Sequence, residues 1–186
     1  MVGSIKNNLS GKTGFTLVEI LIVITVIGIL ASLVMLTIVP NWRQRTYKNR
    51  AFAEVNTMAN AARLYLDKYN QWPEDVNRDL PAELNEFIDV ENDWPDAPWP
   101  GSIYDWDNWS VDGETIIQIS VRFCPIGGPL SACQFPEEPW AENFGVNSAV
   151  FYCLSDSIAV PCRSHSSESA NFPGYCINCA QKEIPG

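Results

Sequence analysis

An apolar run of 25 residues, from Phe15 to Val39, constrains this chain more than any other feature. A helix needs about 20 apolar residues to cross the hydrocarbon core of a bilayer, so this run is long enough to span a membrane. An ordinary secretory signal has an apolar region of only about 7–15 residues, followed by its cleavage site. The run therefore predicts a membrane-spanning helix that precedes the rest of the chain.

One acidic residue, Glu19, lies near the start of this run, and the run contains no basic residue. A charged side chain in hydrocarbon costs about 2.5–3.5 kcal/mol even on lenient scales, and such residues are usually paired and functional. Cleavage after Gly14 would create an amine on Phe15, about one helical turn from Glu19. We expect that amine, on the same chain or on a neighbour, to supply the missing countercharge.

The segment at residues 14–19, Gly-Phe-Thr-Leu-Val-Glu, followed by an apolar helix, resembles the processing motif of type IV prepilins and type II secretion pseudopilins. The resemblance implies that a membrane-bound prepilin peptidase cuts after Gly14 and that Phe15 is then methylated. It also implies that Glu19 guides the subunit into a helical filament. The expected partners are the peptidase, other pilin or pseudopilin subunits in a homo- or hetero-filament, and the inner membrane.

Two observations disagree about which side of the membrane the C-terminal part occupies. Basic residues near a span normally stay in the cytoplasm, and more of them follow the run than precede it. Six cysteines in the C-terminal region favour an oxidising compartment outside the cytoplasm. We give the cysteines and the motif more weight. The resemblance then implies a single-pass precursor in the bacterial inner membrane, with its head outside the cytoplasm, and later a periplasmic or cell-surface filament. The basic residues are Lys6 and Lys12 before the run, and Arg43, Arg45, Lys48 and Arg50 after it.

Length and charge limit the remaining function classes. Residues 41–186 are enough for one domain with a core. The chain has a net charge of −10, and removal of Lys6 and Lys12 with the leader leaves ten basic and 22 acidic residues, or −12. Nucleic acid is therefore not expected as a partner of the single subunit, because its phosphates require a basic face.

An amphipathic pattern continues the helix beyond the membrane run. Apolar residues recur at i, i+3 and i+4, as expected for a helix with one buried face. The pattern ends before Trp72-Pro73, so helix from Phe15 to about Tyr69 would measure about 80 Å. The apolar positions are Ala51, Phe52, Val55, Met58, Ala59, Ala62, Tyr65, Leu66 and Tyr69.

The region after this helix predicts a small antiparallel sheet. Ile117, Ile119, Val121 and Phe123 alternate with polar residues, which is typical of a half-buried strand after an Asp112-Gly113 turn. Further strands are predicted from Ala149 to Leu154 and from Tyr175 to Ile177, and a short helix from Pro81 to Ile88 that buries Leu84, Phe87 and Ile88.

The predicted fold is therefore α+β, pilin-like, with a long helix packed on a small sheet. We divide the chain into a leader (1–14), a transmembrane or filament-core helix (15–40), its amphipathic continuation (41–72) and a globular head (73–186) with a variable loop and a disulfide-rich end.

The even number of cysteines in an exported domain predicts disulfides, although six cysteines allow 15 pairings. Equal spacing suggests two local loops, Cys124 to Cys133 and Cys153 to Cys162. A rival pairing joins Cys153 to Cys176, because each follows a tyrosine in a predicted strand. Zinc or redox chemistry at Cys176-Ile-Asn-Cys179 is a further interpretation.

Two ligand-binding hypotheses concern residues 94–112. Asp105 and Asp107, with Asp112 nearby, would offer alternate oxygen ligands for calcium on an acidic turn, although the spacing lacks the Gly and Glu of an EF-hand. Major pseudopilins resemble this arrangement in using a calcium-holding loop. No other cofactor is expected.

Four nearby tryptophans would form a carbohydrate-binding platform or cover a small core. They are Trp94, Trp99, Trp106 and Trp109.

The sequence favours a structural subunit and not an enzyme. His165, the single histidine, lies in a Ser-rich segment typical of a surface loop, and the phosphate-binding and nucleophile motifs are absent. The predicted function is that of a major or minor pilin in a type IV pilus-like filament. The alternatives are a pseudopilin of a type II secretion system and a membrane-anchored surface-binding domain that does not assemble.

Overall fold

The computed structural model describes residues 14–88, 95–111, 114–155, 162–166 and 172–186. The chain forms two compact units, Met1–Trp42 and Arg43–Gly186, which we call the N-terminal unit and the head. One α-helix, α1 (Leu17–Tyr69), supplies residues to both units. A five-stranded, mostly antiparallel sheet follows it within the described residues, which confirms the predicted α+β, pilin-like fold.

The part of α1 that belongs to the head buries the face that the sequence pattern predicted. Ala51, Val55, Met58 and Ala62 are at most 1% exposed and lie in the main apolar core. The helix ends at Tyr69 because Asn70 adopts the left-handed conformation, with φ of 54°, and donates its N–H to the Leu66 carbonyl at 2.7 Å. Helices commonly end at a residue in the left-handed conformation.

The sheet has the spatial order β1-β2-β3-β4-β5, and only the pairing of β3 with β4 is parallel. The two C-terminal strands that the sequence predicted are present as β3 and β4, while β5 was not predicted. The predicted Asp112-Gly113 turn lies outside the described residues. The strands are β1 (Ile103–Val111), β2 (Glu114–Arg122), β3 (Ala149–Cys153), β4 (Gly174–Cys176) and β5 (Glu183–Ile184).

Strand β2 is buried on both faces, so the prediction of a half-buried strand was wrong. Ile117, Ile119 and Val121 lie in the core that contains the α1 face. The opposite face is covered by Cys162–Ser166, which we call the strap. The Gln118 side-chain amide donates to the Arg163 carbonyl at 3.0 Å and accepts from the Arg163 N–H at 3.1 Å. A segment distant in sequence therefore replaces solvent on this face.

The predicted short helix is present as a 3-10 helix, Ala82–Phe87, and it buries less than expected. Leu84 is fully buried, whereas Phe87 and Ile88 are only partly buried. The six residues make about two 3-10 turns, and Phe87, three positions after Leu84 on the same face, lies at the end of the helix and at the margin of the core.

All six cysteines form disulfides, and each pairing is local in sequence. The bonds are Cys124–Cys133, Cys153–Cys162 and Cys176–Cys179. The rival cross-sheet pairing of Cys153 with Cys176 is not formed, and neither is a zinc site at Cys176 and Cys179, because these two sulfurs are bonded to each other. The Cys153–Cys162 bond ties the first residue of the strap to the end of β3.

Candidate functional site

The proposed processing site lies just outside the helix. Because α1 begins at Leu17, both Gly14 and Phe15 precede it, and both are exposed. The Phe15 side chain is 83% exposed. The peptide bond between these two residues is therefore free of helix hydrogen bonds and accessible to a peptidase.

Thr16 and Glu19 close the first turn of α1 with a reciprocal capping box. The Thr16 hydroxyl accepts the Glu19 N–H at 3.2 Å, and the Thr16 N–H donates to Glu19 Oε2 at 2.8 Å. The Thr16 hydroxyl also donates to that oxygen, at 2.7 Å. Such a box satisfies helix N–H groups that otherwise have no partner. This role was not predicted, although Thr-x-x-Glu before an apolar run is its known signature.

The capping box uses only one oxygen of the Glu19 carboxylate. Among the described residues, Glu19 makes no salt bridge, and Oε1 has no hydrogen-bond partner. The side chain is exposed at the start of the helix. The geometry thus leaves one carboxylate oxygen available for a positively charged group from outside this part of the chain.

The apolar side chains after Glu19 are exposed in the isolated chain. The large apolar residues between Leu17 and Met35 are 48% to 81% exposed. By length and composition, Leu17–Met35 is the one helical stretch among the described residues that is apolar enough to cross a membrane. Exposed apolar area of this extent is unfavourable in water, so lipid or other apolar helices must cover it.

Comparison with known families supports this interpretation of the N-terminus. Residues 9–35 match the family model described as the prokaryotic N-terminal methylation motif. This segment is a type IV prepilin-type signal. It implies processing by a prepilin peptidase and assembly with other pilin subunits, and it fits a membrane-anchored precursor. No curated protein and no solved structure matches the chain significantly.

In the head of this prepilin-type chain, the candidate calcium ligands lie in a strand and not in a turn. Asp105 and Asp107 belong to β1 and are 5% and 3% exposed. Alternation along β1 places Tyr104 and Trp106 in the core and both carboxylates on the opposite face. The expected position on an acidic turn was therefore wrong for these two residues, and Asp112 lies outside the described residues.

Arg122 is the partner that makes burial of these carboxylates possible. Its Nε donates to Asp105 at 2.7 Å and its Nη2 to Asp107 at 3.3 Å. Its Nη1 donates to the carbonyl oxygens of Asn147 and His165 at 3.2 and 3.1 Å. The His165 ring adds a contact between Nε2 and Asp107 Oδ1 at 2.8 Å. These groups, Asp105, Asp107, Arg122 and His165, are called the ionic cluster below.

The pKa values of the two carboxyl groups in the ionic cluster shift in opposite directions. Burial opposes ionisation of Asp107, but Arg122 and the hydrogen bonds from His165 and Ser120 outweigh it and lower the pKa of this carboxyl. Burial and the adjacent Asp107 charge raise the pKa of the Asp105 carboxyl, despite its bond to Arg122. Asp107 is therefore the firmly ionised member of the pair.

The ionic cluster offers little to a metal ion. Asp107 Oδ1 contacts Arg122 and His165, while Oδ2 accepts from Gln118 and Ser120, so both oxygens have two partners each. The described residues contain no group of three or more His, Cys, Asp or Glu side chains placed to hold a metal. In this structure, Asp105 and Asp107 are ion-pair partners of Arg122, a residue that was not predicted to belong to a site.

His165 and the tryptophans are also placed differently from the sequence-based expectation. The His165 side chain is only 12% exposed and stacks on Trp109 with ring centroids 4.4 Å apart, so it is not a surface-loop residue. Both rings border a cleft of about 530 Å³. Trp99 and Trp106 are buried in the core at 2% and 0% exposure, which contradicts a carbohydrate platform that includes them. Trp94 lies outside the described residues.

Proposed function

We propose that this chain is a structural subunit, a major or minor pilin, of a type IV pilus-like filament. A prepilin peptidase cleaves the bond after Gly14, and the new N-terminus of Phe15 is methylated. The apolar part of α1 then leaves the inner membrane and packs among the same helices of other subunits. Glu19 neutralises the N-terminal amine of a neighbour during this step.

One observation carries the proposal. Glu19 lies at the start of an exposed apolar helix, and its Oε1 has no partner among the described residues. An ionised carboxylate in an apolar surrounding needs a countercharge, and an amine at Phe15 would be within about one helical turn. The three disulfides support a head located outside the cytoplasm.

The capping box provides a sharp test of the role of the Glu19 charge. Glu19→Gln retains an oxygen that accepts from Thr16 but removes the charge, whereas Glu19→Ala removes both. We expect both variants to insert into the membrane and both to lose filament assembly, measured by shearing filaments from cells and immunoblotting both fractions. Glu19→Gln assembling like the wild type would show that only the cap matters and would refute the pairing mechanism.

Processing and location require a separate measurement. Mass spectrometry of the N-terminal peptide should find methylated Phe15 in material sheared from the cell surface. The same peptide confined to the membrane fraction would favour a type II secretion pseudopilin, which uses the same processing. An uncleaved leader in every fraction would leave a membrane-anchored surface domain as the remaining alternative.

A further inference from the structure

The Cys176–Cys179 disulfide occupies the connection between β4 and β5. Cys176 is the last residue of β4, and its N–H donates to the Lys182 carbonyl at 2.7 Å. The two cysteines are only three positions apart, whereas the other two disulfides each join positions nine apart. A disulfide that closes a shorter loop removes less entropy from the unfolded chain, so this bond contributes the least to stability on that account.

The two sulfurs of this bond differ in accessibility. Cys176 is fully buried, whereas Cys179 is partly exposed. Cys179 borders a cleft of about 800 Å³ that is also lined by Arg63 and Trp72, while Cys176 does not line it. A thiolate that approaches through this cleft therefore meets the sulfur of Cys179 first.

The backbone is arranged to stabilise the other sulfur as a leaving group. The Cys179 N–H donates to Cys176 Sγ at 3.1 Å. A hydrogen bond to a sulfur favours its charged thiolate form, and a more stable thiolate leaves faster in exchange. Accessibility and hydrogen bonding thus favour the same reaction, with attack at Cys179 and departure of Cys176.

The neighbouring Cys153–Cys162 bond borders the same cleft, but neither of its sulfurs receives a backbone N–H within the described part of the chain. Cys162 is fully buried, and its Sγ lies 3.6 Å from the Ile117 carbonyl oxygen. Cys176 Sγ likewise lies near a carbonyl oxygen, Asn178 Oδ1 at 3.5 Å, so this contact does not distinguish the two sulfurs. The Ser155 hydroxyl donates to Cys162 Sγ at 3.3 Å, so the two bonds differ in the backbone N–H that Cys176 Sγ receives and in loop length, and not in access to the cleft.

We propose that Cys179 is a thiol–disulfide exchange site for a dithiol, in particular for the dithiol of an extracytoplasmic oxidoreductase. The attacking thiolate forms a bond to Cys179 Sγ while the bond between the two cysteines breaks, and the electron pair leaves on Cys176 Sγ. The second thiol of the dithiol then attacks the mixed disulfide and releases Cys179 as a thiol. The net result is two-electron reduction of the Cys176–Cys179 bond and oxidation of the dithiol.

The head has a second link that keeps this region in place when the bond opens. The Asn178 side chain accepts the Cys153 N–H at 2.8 Å and donates to the Cys153 carbonyl at 2.7 Å. These two bonds fasten the Cys176–Cys179 turn to β3 without involving sulfur. Exchange at Cys179 is therefore expected to be local and reversible, and not an unfolding event.

The first test titrates the full-length wild-type protein in detergent with dithiothreitol, followed by acid quenching, alkylation and peptide mass spectrometry. We expect Cys176–Cys179 to open at a concentration about tenfold lower than either other bond, with unchanged tryptophan fluorescence. Opening of all three bonds together, or of another bond first, would overturn the proposal. Filament assembly plays no part in this readout, so its outcome is independent of the proposed function.

A second test addresses the direction of attack. Cys176→Ser leaves a thiol at Cys179, and Cys179→Ser is the matched variant that leaves one at Cys176. We expect the Cys179 thiol to react with an aromatic disulfide reagent about tenfold faster than the Cys176 thiol. A monothiol added to the wild type should likewise be trapped on Cys179, which does not depend on either variant. Equal rates, or an adduct on Cys176, would contradict the assigned roles.

Discussion

Glu19 and the Asp105–Asp107 pair are the carboxylates singled out in the two units, and their partners differ. The aspartates are almost fully buried and are paired within the head by Arg122 and His165. Glu19 receives hydrogen bonds only from Thr16 among the described residues, and only on one oxygen. A charge that is paired within its own chain stabilises that chain. A charge that has no countercharge among the described residues is what the proposed pairing with another subunit requires.

The comparison predicts that changes in the two regions will have separate effects. Substitutions in the ionic cluster should change the stability of the head, whereas substitutions at Glu19 should change assembly and leave the head stable.

Arg122→Met should have the largest effect, because it leaves Asp105 and Asp107 buried without their guanidinium. Removal of one partner of a buried ion pair typically costs about 3–5 kcal/mol. We therefore expect the free energy of unfolding of the head to fall by about that amount in urea, followed by tryptophan fluorescence of the full-length protein in detergent.

Two further variants control this experiment. Glu19→Gln should leave the urea midpoint unchanged, because Glu19 has no role in the head. Combining Arg122→Met with Asp105→Asn and Asp107→Asn should recover part of the loss, because no uncompensated charge remains. A loss below about 1 kcal/mol in Arg122→Met alone would mean that the carboxylates are not held by this pair.

The pH dependence of stability should depend on Asp107. Its pKa is lowered in the folded head, so its contribution is fully present above the unfolded value of about 3.9 and is lost as the pH falls towards the folded value. Asp105 has a raised pKa in the folded head, so its effect has the opposite sign. Its contribution to the free energy of unfolding becomes more favourable as the pH falls through its folded pKa.

A comparison of the wild type with Asp107→Asn tests the direction of this pH dependence. The wild type should be more stable above about pH 4, and its advantage should shrink by about 1.4 kcal/mol for each pH unit below it. Urea unfolding at several fixed pH values measures the difference. An advantage that stays constant or grows at low pH would show that Asp107 is not the ionised member of the pair.

The N-terminal half of the comparison was largely predictable from sequence. The length of the apolar run and the position of Glu19 depend on local order alone, and so does the end of α1 before Trp72-Pro73. The capping box also depends only on residues close together in sequence, but it was not predicted. Thr16 lies three residues before Glu19, which is the spacing that the motif requires.

The ionic cluster was not predictable in the same way, because its members come together only through the sheet. Asp105 and Asp107 were predicted to lie on a turn as alternate oxygen ligands, whereas they belong to β1. Their burial depends on the register of β1 with β2, which brings Arg122 beside them, and on a strap more than forty residues further along the chain. Hydrophobic periodicity carries no information about either.

The smallest predicted effect on stability is at Lys48, whose charge is stabilised by aromatic rings and not by a carboxylate. Its Nζ lies 5.0 Å from the ring centroid of Tyr175, 5.6 Å from that of Trp140 and 5.7 Å from that of Phe52. Aromatic faces attract a cation, with about 0.5–1 kcal/mol at exposed sites and about 2 when desolvated. Lys48→Met keeps an apolar side chain but removes the charge, so we expect a loss of about 1 kcal/mol in the urea experiment.

This loss should be smaller than that of Arg122→Met because the rings left behind are neutral, whereas the aspartates left by Arg122 are charged. Lys48→Arg retains the cation and is the matched control, with an expected loss near zero. If Lys48→Met costs as much as Arg122→Met while Lys48→Arg costs nothing, then removing a cation from neutral rings is as costly as leaving two buried carboxylates without their guanidinium. The contrast between the two cations would then fail, and with it the claim that the charge left behind decides the cost.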